Sequence, residues 1–185
     1  MPTVEKDRSV FCYPEREILM NFLVLSRANA QNISPEIKEK HVIISINDAV
    51  KDNRKRQKFA RFLENKNRLG VLYLVFDDVD DPQDPWGITE RDAVRIKDFV
   101  EKHEVQAETI VVHCVFGQCR SAGCAAALMF HLTGSDMEIF RDPRFAPNML
   151  VYRKVLEAFG YSLKPSELRE KDEVNEQAWR EAGRL

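Results

Sequence analysis

The chain has 185 residues, 44% of them hydrophobic, and a formal net charge of −2. That length and apolar fraction suit one domain around one core, and the near balance of charge supplies no broad field to draw in nucleic acid or an anionic bilayer. Its longest apolar segments, Ile18 to Leu25 and Cys124 to Leu132, fall short of the ~20 residues of a membrane helix, and the polar N-terminus lacks a signal-peptide core. A cytoplasmic chain with neither a membrane nor a nucleic-acid partner is expected. The four cysteines, at 12, 114, 119 and 124, form neither a disulfide framework nor Cys-x2-Cys metal spacing, so free thiols are expected.

In chain order, Val10-Phe11-Cys12-Tyr13 reads as a short edge strand, and Pro14-Glu15-Arg16-Glu17 opens a helix or turn running through Ile18 to Leu25. His41 to Ile46 reads as a buried strand ended by Asn47-Asp48. The segment from Asp52 to Lys66 carries Phe59, Phe62 and Leu63 at the spacing of one helix face. Val71 to Phe76 is a second apolar strand, ending in the acidic loop Asp77 to Asp84. Thr89 is an N-cap for a helix with Ala93, Ile96, Phe99 and Val100 on its apolar face, followed by a strand from Thr109. Further on, Pro147 to Phe159 reads as a helix stopped by Gly160, and 165–185 as a charged, mostly helical tail. Alternating strands and helices predict an α/β fold. We expect a single domain over 1–185, its central, mostly parallel sheet flanked by helices, with ligands bound beyond the carboxyl ends of the strands.

One such end is rich in chemistry. The β-branched run Thr109-Ile110-Val111-Val112 leads into His113-Cys114-Val115-Phe116-Gly117-Gln118-Cys119-Arg120-Ser121, and small residues suited to a helix follow. A Cys-x5-Arg spacing alone is weak evidence; a strand, a glycine-bearing loop and a helix start in the right order are much stronger. Backbone amides and the helix N-terminus would converge there as a nest for anions, holding Cys114 as a thiolate at neutral pH with help from the Arg120 cation.

This segment resembles the His-Cys-x5-Arg-Ser/Thr signature of the cysteine-dependent protein tyrosine phosphatases, in particular their small dual-specificity-like branch. Arg144-Phe145-Ala146-Pro147-Asn148 is similar to that branch's Arg-x-x-Pro-Asn segment. The resemblance runs loosely from the Val42 strand to Asn148, and the flanks match nothing specific. It implies hydrolysis of phosphomonoesters, on protein tyrosine or with dual specificity, through a phosphocysteine and with no metal or cofactor. Cys114 would be the nucleophile, and Arg120 with the amides of Val115, Phe116, Gly117, Gln118 and Cys119 would bind the phosphoryl oxygens. Ser121 would donate to the departing thiolate, and His113 would order the loop.

The resemblance also implies an aspartate acid on the loop after the preceding strand. Asp78 fits by its distance from the strand end, whereas Asp81 and Asp84 fit better by separation from Cys114; Asp77 and Asp80 also stay open. Other readings remain beside these. Cys119 is a redox partner for Cys114 or a bystander, and Cys124 is core; zinc held by Cys114, Cys119, Cys124 and His131 is poorly matched by the spacings. Trp86 covers the substrate or packs its loop. Asn148 caps the following helix or ties down the phosphate loop. Lys51 to Lys58 is a solvated face or a dock for an anionic partner. The expected partner is a phosphorylated protein or small aryl phosphate; the loop between Cys114 and Arg120 has no Lys or Arg for a polyanionic lipid or RNA. The alternatives are an inert phosphopeptide-binding module and a thiol-based sulfur or arsenate transferase.

Overall fold

The structure, a computed structural model, describes residues 20–51 and 56–184. Its centre is a four-stranded sheet, β1 (Asn21–Ser26), β2 (His41–Asn47), β3 (Arg68–Val75) and β4 (Thr109–Cys114), in the order β1-β4-β2-β3. All three pairings are parallel. Strand alternation divides the side chains between two faces. Val42, Ile44, Ile46, Leu74, Ile110, Val112 and Cys114 join the main core. Ile43 and Val111 build a smaller one on the other side with Leu23, Leu25, Phe62 and Val71.

Helices α2 (Glu90–His103), α3 (Arg120–Thr133) and α5 (Met149–Ala158) cover the main-core face. Thr89 caps α2 in a reciprocal box with Asp92, which satisfies amides that a helix start otherwise leaves bare. The α3 helix is almost wholly buried because Ala122, Gly123, Cys124, Ala125, Ala126 and Ala127 let it approach the sheet closely. The smaller core is covered by the short α1 (Arg27–Ile33), a 3-10 turn at Ser34–Glu36 and an irregular segment reaching back from Asn65. The Asn65 amide there donates to the carbonyls of Ser34 and Ile37 at 2.8 and 2.9 Å. Among the described residues no helix is long and apolar enough to cross a membrane.

Two expectations are corrected. Asn21 to Leu25 belongs to strand β1 and not to a helix or turn: Phe22 and Val24 pack on one core and Leu23 and Leu25 on the other, in register with β4. The helix expected from Asp52 to Lys66 is absent over 56–65, where the chain is irregular. Its backbone groups find other partners, Ala60 N–H donating to Asn47 Oδ1 and the Leu63 carbonyl accepting from Arg68, while Phe59 and Leu63 stay exposed. The expected edge strand at Val10 to Tyr13 and residues 14–19 and 52–55 lie outside the described residues.

Helix α6 (Pro165–Glu181) lies where the charged tail was expected. It docks through Lys171, which pairs with the buried Asp136, itself accepting a 2.6 Å hydrogen bond from the Tyr152 hydroxyl. Asn175 and Trp179 add bonds to backbone carbonyls over 140–145. Between α3 and α5 lies the short α4 (Met137–Phe140), with Ile139 and Phe140 buried.

Candidate active site

Strand β4 ends at Cys114 and α3 begins at Arg120, so residues 115–119 form a loop at the carboxyl edge of the sheet. Three loop carbonyls are tied to groups outside it. Val115 accepts from Arg27 N–H at 3.2 Å, Gln118 from Ala146 N–H at 3.0 Å and Cys119 from Asn148 N–H at 3.1 Å. In a trans peptide the next N–H points the opposite way, so the amides of Phe116, Cys119 and Arg120 turn toward the loop interior. Gly117 makes the bend possible. Its φ is +77°, and a Cβ there would lie 2.4 Å from Leu25 C and Ser26 N.

Cys114 sits at the base of this loop, 2% exposed. Gly117 N–H donates to its Sγ at 3.2 Å, and Ser121 Oγ lies 3.2 Å from the same sulfur. Burial by itself raises a thiol, yet the Ser121 hydroxyl and amide, the Gly117 amide and the Arg120 charge outweigh it and lower the Cys114 pKa. Cys119 goes the other way, pushed up to about 12 by burial, by the charge of and a hydrogen bond with Asp78, and by Cys114. Cys124, fully buried in α3, is likewise pushed up to about 12. The loop thus holds one ionisable thiol and one that stays protonated.

Arg120 is 4% exposed, and its guanidinium is fixed from one side. Nη1 donates to the Phe76 carbonyl at 2.8 Å and pairs with Asp48 Oδ1 at 2.7 Å. Its Nε–H is buried and has no partner among the described residues. A buried guanidinium N–H with no partner among the described residues, beside an ionisable thiol and inward amides, is a donor suited to an anion oxygen. His113 faces the opposite side of the sheet, where Nε2 shares a 2.8 Å hydrogen bond with Ser45 Oγ and the ring meets Phe62 edge-on at 5.7 Å. Burial, with a smaller push from the Arg27 charge, lowers its pKa to about 4, so it stands neutral beneath the loop. Its Nδ1 approaches the Cys114 carbonyl at 3.3 Å and not the sulfur.

The five aspartates occupy different places. Asp77 is spent on structure, accepting from Ala49 N–H at 2.9 Å and pairing with Lys51 at 2.8 Å. Burial would raise its carboxyl, but Lys51, the Ala49 amide and Arg120 hold it below the usual range. Asp81 and Asp84 close local turns, accepting from the amides of Gln83 and Trp86. Asp80 is exposed, and its charge acts on Asp172 of α6. Asp78 alone of the five contacts the 115–119 loop, through Cys119, and it accepts a 2.9 Å hydrogen bond from Asn148 Nδ2.

Asn148 does both of its expected jobs and a third. Its Oδ1 caps α5 at Val151 N–H, its own N–H holds the Cys119 carbonyl, and its amide nitrogen reaches Asp78 and the Val79 carbonyl. Gly123 lets α3 come this close, since a Cβ there would lie 2.4 Å from the Asn148 carbonyl oxygen. Trp86 packs its own loop, its carbonyl accepting from Asp77 N–H at 2.7 Å and its ring lying 5.3 Å from Lys51 Nζ. Among the described residues no His, Cys, Asp and Glu cluster is arranged to hold a metal.

Asp48 and the Phe76 carbonyl, which hold Arg120, escape a linear reading of the chain, as do Ser45 and Asn47 beneath the loop. The available signal was the polar pair Asn47-Asp48 at the carboxyl end of a buried strand. It matters because β2 lies next to β4, a neighbour relation that chain order conceals.

No family model and no curated protein matches the chain by sequence. Similar solved structures include that of DUSP15, at 18% identity with 85% of this chain and 94% of that one covered and a TM-score of 0.47. The Yvh1 phosphatase domain from Chaetomium thermophilum is 16% identical, with 91% and 94% covered and a TM-score of 0.39. PTPMT1 in complex with PI(5)P is 20% identical, with 88% and 94% covered and a TM-score of 0.37.

Proposed function

We propose that the chain is a phosphomonoester hydrolase acting on phosphotyrosine, with or without phosphoserine and phosphothreonine, in protein substrates. The observation that carries this reading is the Cys114 sulfur, ionisable and hydrogen-bonded by Gly117 and Ser121 at the base of a loop that also offers the buried, unpartnered Nε–H of Arg120.

Three phosphoryl oxygens lie among the inward amides and the Arg120 fork, and the charge that spreads over them in the transition state meets donors already in place. Cys114 Sγ attacks phosphorus and the bond to the leaving oxygen breaks, giving a phosphocysteine. The leaving oxygen takes a proton from Asp78, the loop aspartate whose contacts with Cys119 and Asn148 set it against the phosphate loop. Water then attacks the phosphocysteine, Asp78 takes its proton, and the sulfur leaves as a thiolate to which the Ser121 hydroxyl donates. Arg120 keeps one orientation throughout, since Asp48 and the Phe76 carbonyl hold the nitrogen that does not face substrate. His113 and Ser45 support the strand end from below.

The test is turnover of para-nitrophenyl phosphate without added metal. Cys114→Ser should abolish it, and Asp78→Asn should remove the limb of the pH profile that reports a protonated acid. Tight phosphopeptide binding with no turnover would select the inert-module alternative, and thiol-dependent arsenate reduction without esterase activity the transferase.

A further inference from the structure

We propose that the surface formed by residues 56–61 docks the acidic flank of a phosphopeptide whose phosphoryl group occupies the Cys114 loop; the proposal rests on the phosphatase reading above and names the substrate that site prefers.

Residues 56–58 close the Lys51 to Lys58 run, read from the sequence as a solvated face or a dock for an anionic partner on a helix, and 56–61 is not helical. It lies irregular at the carboxyl edge of the sheet, with Arg56, Lys58 and Arg61 all exposed. None of the three makes an ion pair among the described residues, whereas Lys51 is committed to Asp77. The segment is tied to the site. Gln57 Nε2 donates to the Asp48 carbonyl at 2.9 Å, and the Asp48 carboxylate holds Arg120. With about 3.8 Å between consecutive Cα atoms, Arg56 and Lys58 stand one residue either side of that tether, within a few residues' reach of a bound phosphoryl group. Phe59, 45% exposed, meets Tyr73 edge-on at 5.3 Å, and Tyr73 is itself 37% exposed, so the same segment carries, between its cations in sequence, one ring of an exposed aromatic pair. Three cations with no ion pair among the described residues, with an exposed aromatic pair beside them, complement a run of acidic side chains broken by an apolar one.

The same charges and rings would also suit an anionic bilayer, but the opposite rim argues against it. The acidic 77–84 loop, which reaches Asn148 and Cys119 through Asp78, leaves Asp78, Asp80 and Asp81 exposed. A flat anionic surface pressed on the opening would confront that loop as well as 56–61. A peptide crossing only the 56–61 rim meets cations alone, and the acid loop turns its acidic flank toward them.

The experiment compares kcat/KM for para-nitrophenyl phosphate and for phosphotyrosyl peptides of equal length carrying Glu or Gln on one side or the other. The full chain should prefer a Glu flank on one side by about five- to tenfold at low salt, a preference that fades toward 0.5 M salt on the order expected from screening. Arg56→Gln, Lys58→Gln and Arg61→Gln combined should erase the preference and leave para-nitrophenyl phosphate turnover unchanged. No preference in the unaltered chain, or one that survives high salt or the triple change, overturns the proposal. So does an outcome in which the triple change lowers turnover only of a phosphoinositide in anionic vesicles, which would make this a membrane face. Absence of para-nitrophenyl phosphate turnover in the unaltered chain would remove the phosphatase reading itself.

Discussion

Asn148→Ser separates two duties that Asn148→Ala would destroy together. A serine hydroxyl at 148 can still cap Val151, but it is too short to reach Asp78 and Val79, which the asparagine amide meets at 2.9 and 3.1 Å. A helix cap is worth about 1 kcal/mol. A hydrogen bond to a carboxylate is worth about 1.5–3 kcal/mol, taken here at the low end because Asp78 is exposed. Asn148→Ala should therefore cost about 2–3 kcal/mol, and Asn148→Ser about half of that. For a chain of this size each kcal/mol moves the midpoint of thermal unfolding by roughly 2–4 °C. The catalytic effect should be larger and selective. With its anchor gone, Asp78 samples positions out of reach of the leaving oxygen, and part of the roughly 10²- to 10⁴-fold benefit of a placed acid is lost. Phenyl phosphate, whose leaving group needs the proton, should slow by roughly 10- to 100-fold in Asn148→Ser, while para-nitrophenyl phosphate, whose leaving group hardly does, should slow severalfold at most. The assay is the ratio of the two kcat values across pH, beside a thermal melt. Equal slowing of both substrates would refute the reasoning, because the damage would then run through the Cys119 carbonyl and the phosphate loop.

Further outcomes follow from neighbouring contacts. Gly117→Ala must adopt a positive φ that costs about 1–2 kcal/mol and must displace backbone at Leu25 and Ser26, so kcat/KM should fall at least roughly 100-fold along with a lower melting midpoint. Asp48→Asn leaves Arg120 its bond to the Phe76 carbonyl but removes the 2.7 Å ion pair. Because Asp48 is half exposed the loss is about 1 kcal/mol, read as roughly fivefold weaker inhibition by phosphate or vanadate with kcat little changed. His113, with its pKa lowered from 6.5 to about 4, is neutral when folded over a range in which the unfolded chain takes up a proton. Its contribution is intact above pH 6.5 and is lost as pH falls toward 4, amounting to about 3 kcal/mol, and His113→Gln should flatten chemical-denaturation stability across that window.

What could be read along the chain is what is local. Strands β2, β3 and β4 were legible because each is apolar on both faces, and the phosphate loop because its parts are contiguous from His113 to Ser121. The apolar run ending at Leu25 does not by itself distinguish a helix from a strand; its partner, β4, arrives more than eighty residues later in the chain, between Asn21 and Thr109. The spacing of Phe59, Phe62 and Leu63 is a genuine helical pattern overridden by tertiary contacts. Phe62 packs against Tyr73 and His113, and Asn47 takes the Ala60 amide that a helix would have used. The five aspartates look alike in the sequence for a related reason: they share one loop, and the partners that set Asp78 apart, Cys119 and Asn148, lie about forty and seventy residues away.

The same logic makes α6 part of the site's support. The Asn175 amide donates to the Phe140 and Phe145 carbonyls at 3.0 and 3.3 Å, and Trp179 Nε1 donates to the Phe145 carbonyl at 2.9 Å. The next residue, Ala146, donates to Gln118 in the phosphate loop, and Asn148 to Cys119. A loop of five residues has too few internal contacts to hold its amides inward, and each external bond contributes only about 1 kcal/mol net. What fixes it is that its carbonyls are taken from two directions, by Arg27 at the start of α1 and by the 146–148 segment that α6 holds in place. A charged C-terminal helix far from the signature in sequence therefore bears on how well the loop is prepared for a phosphoryl group before one arrives.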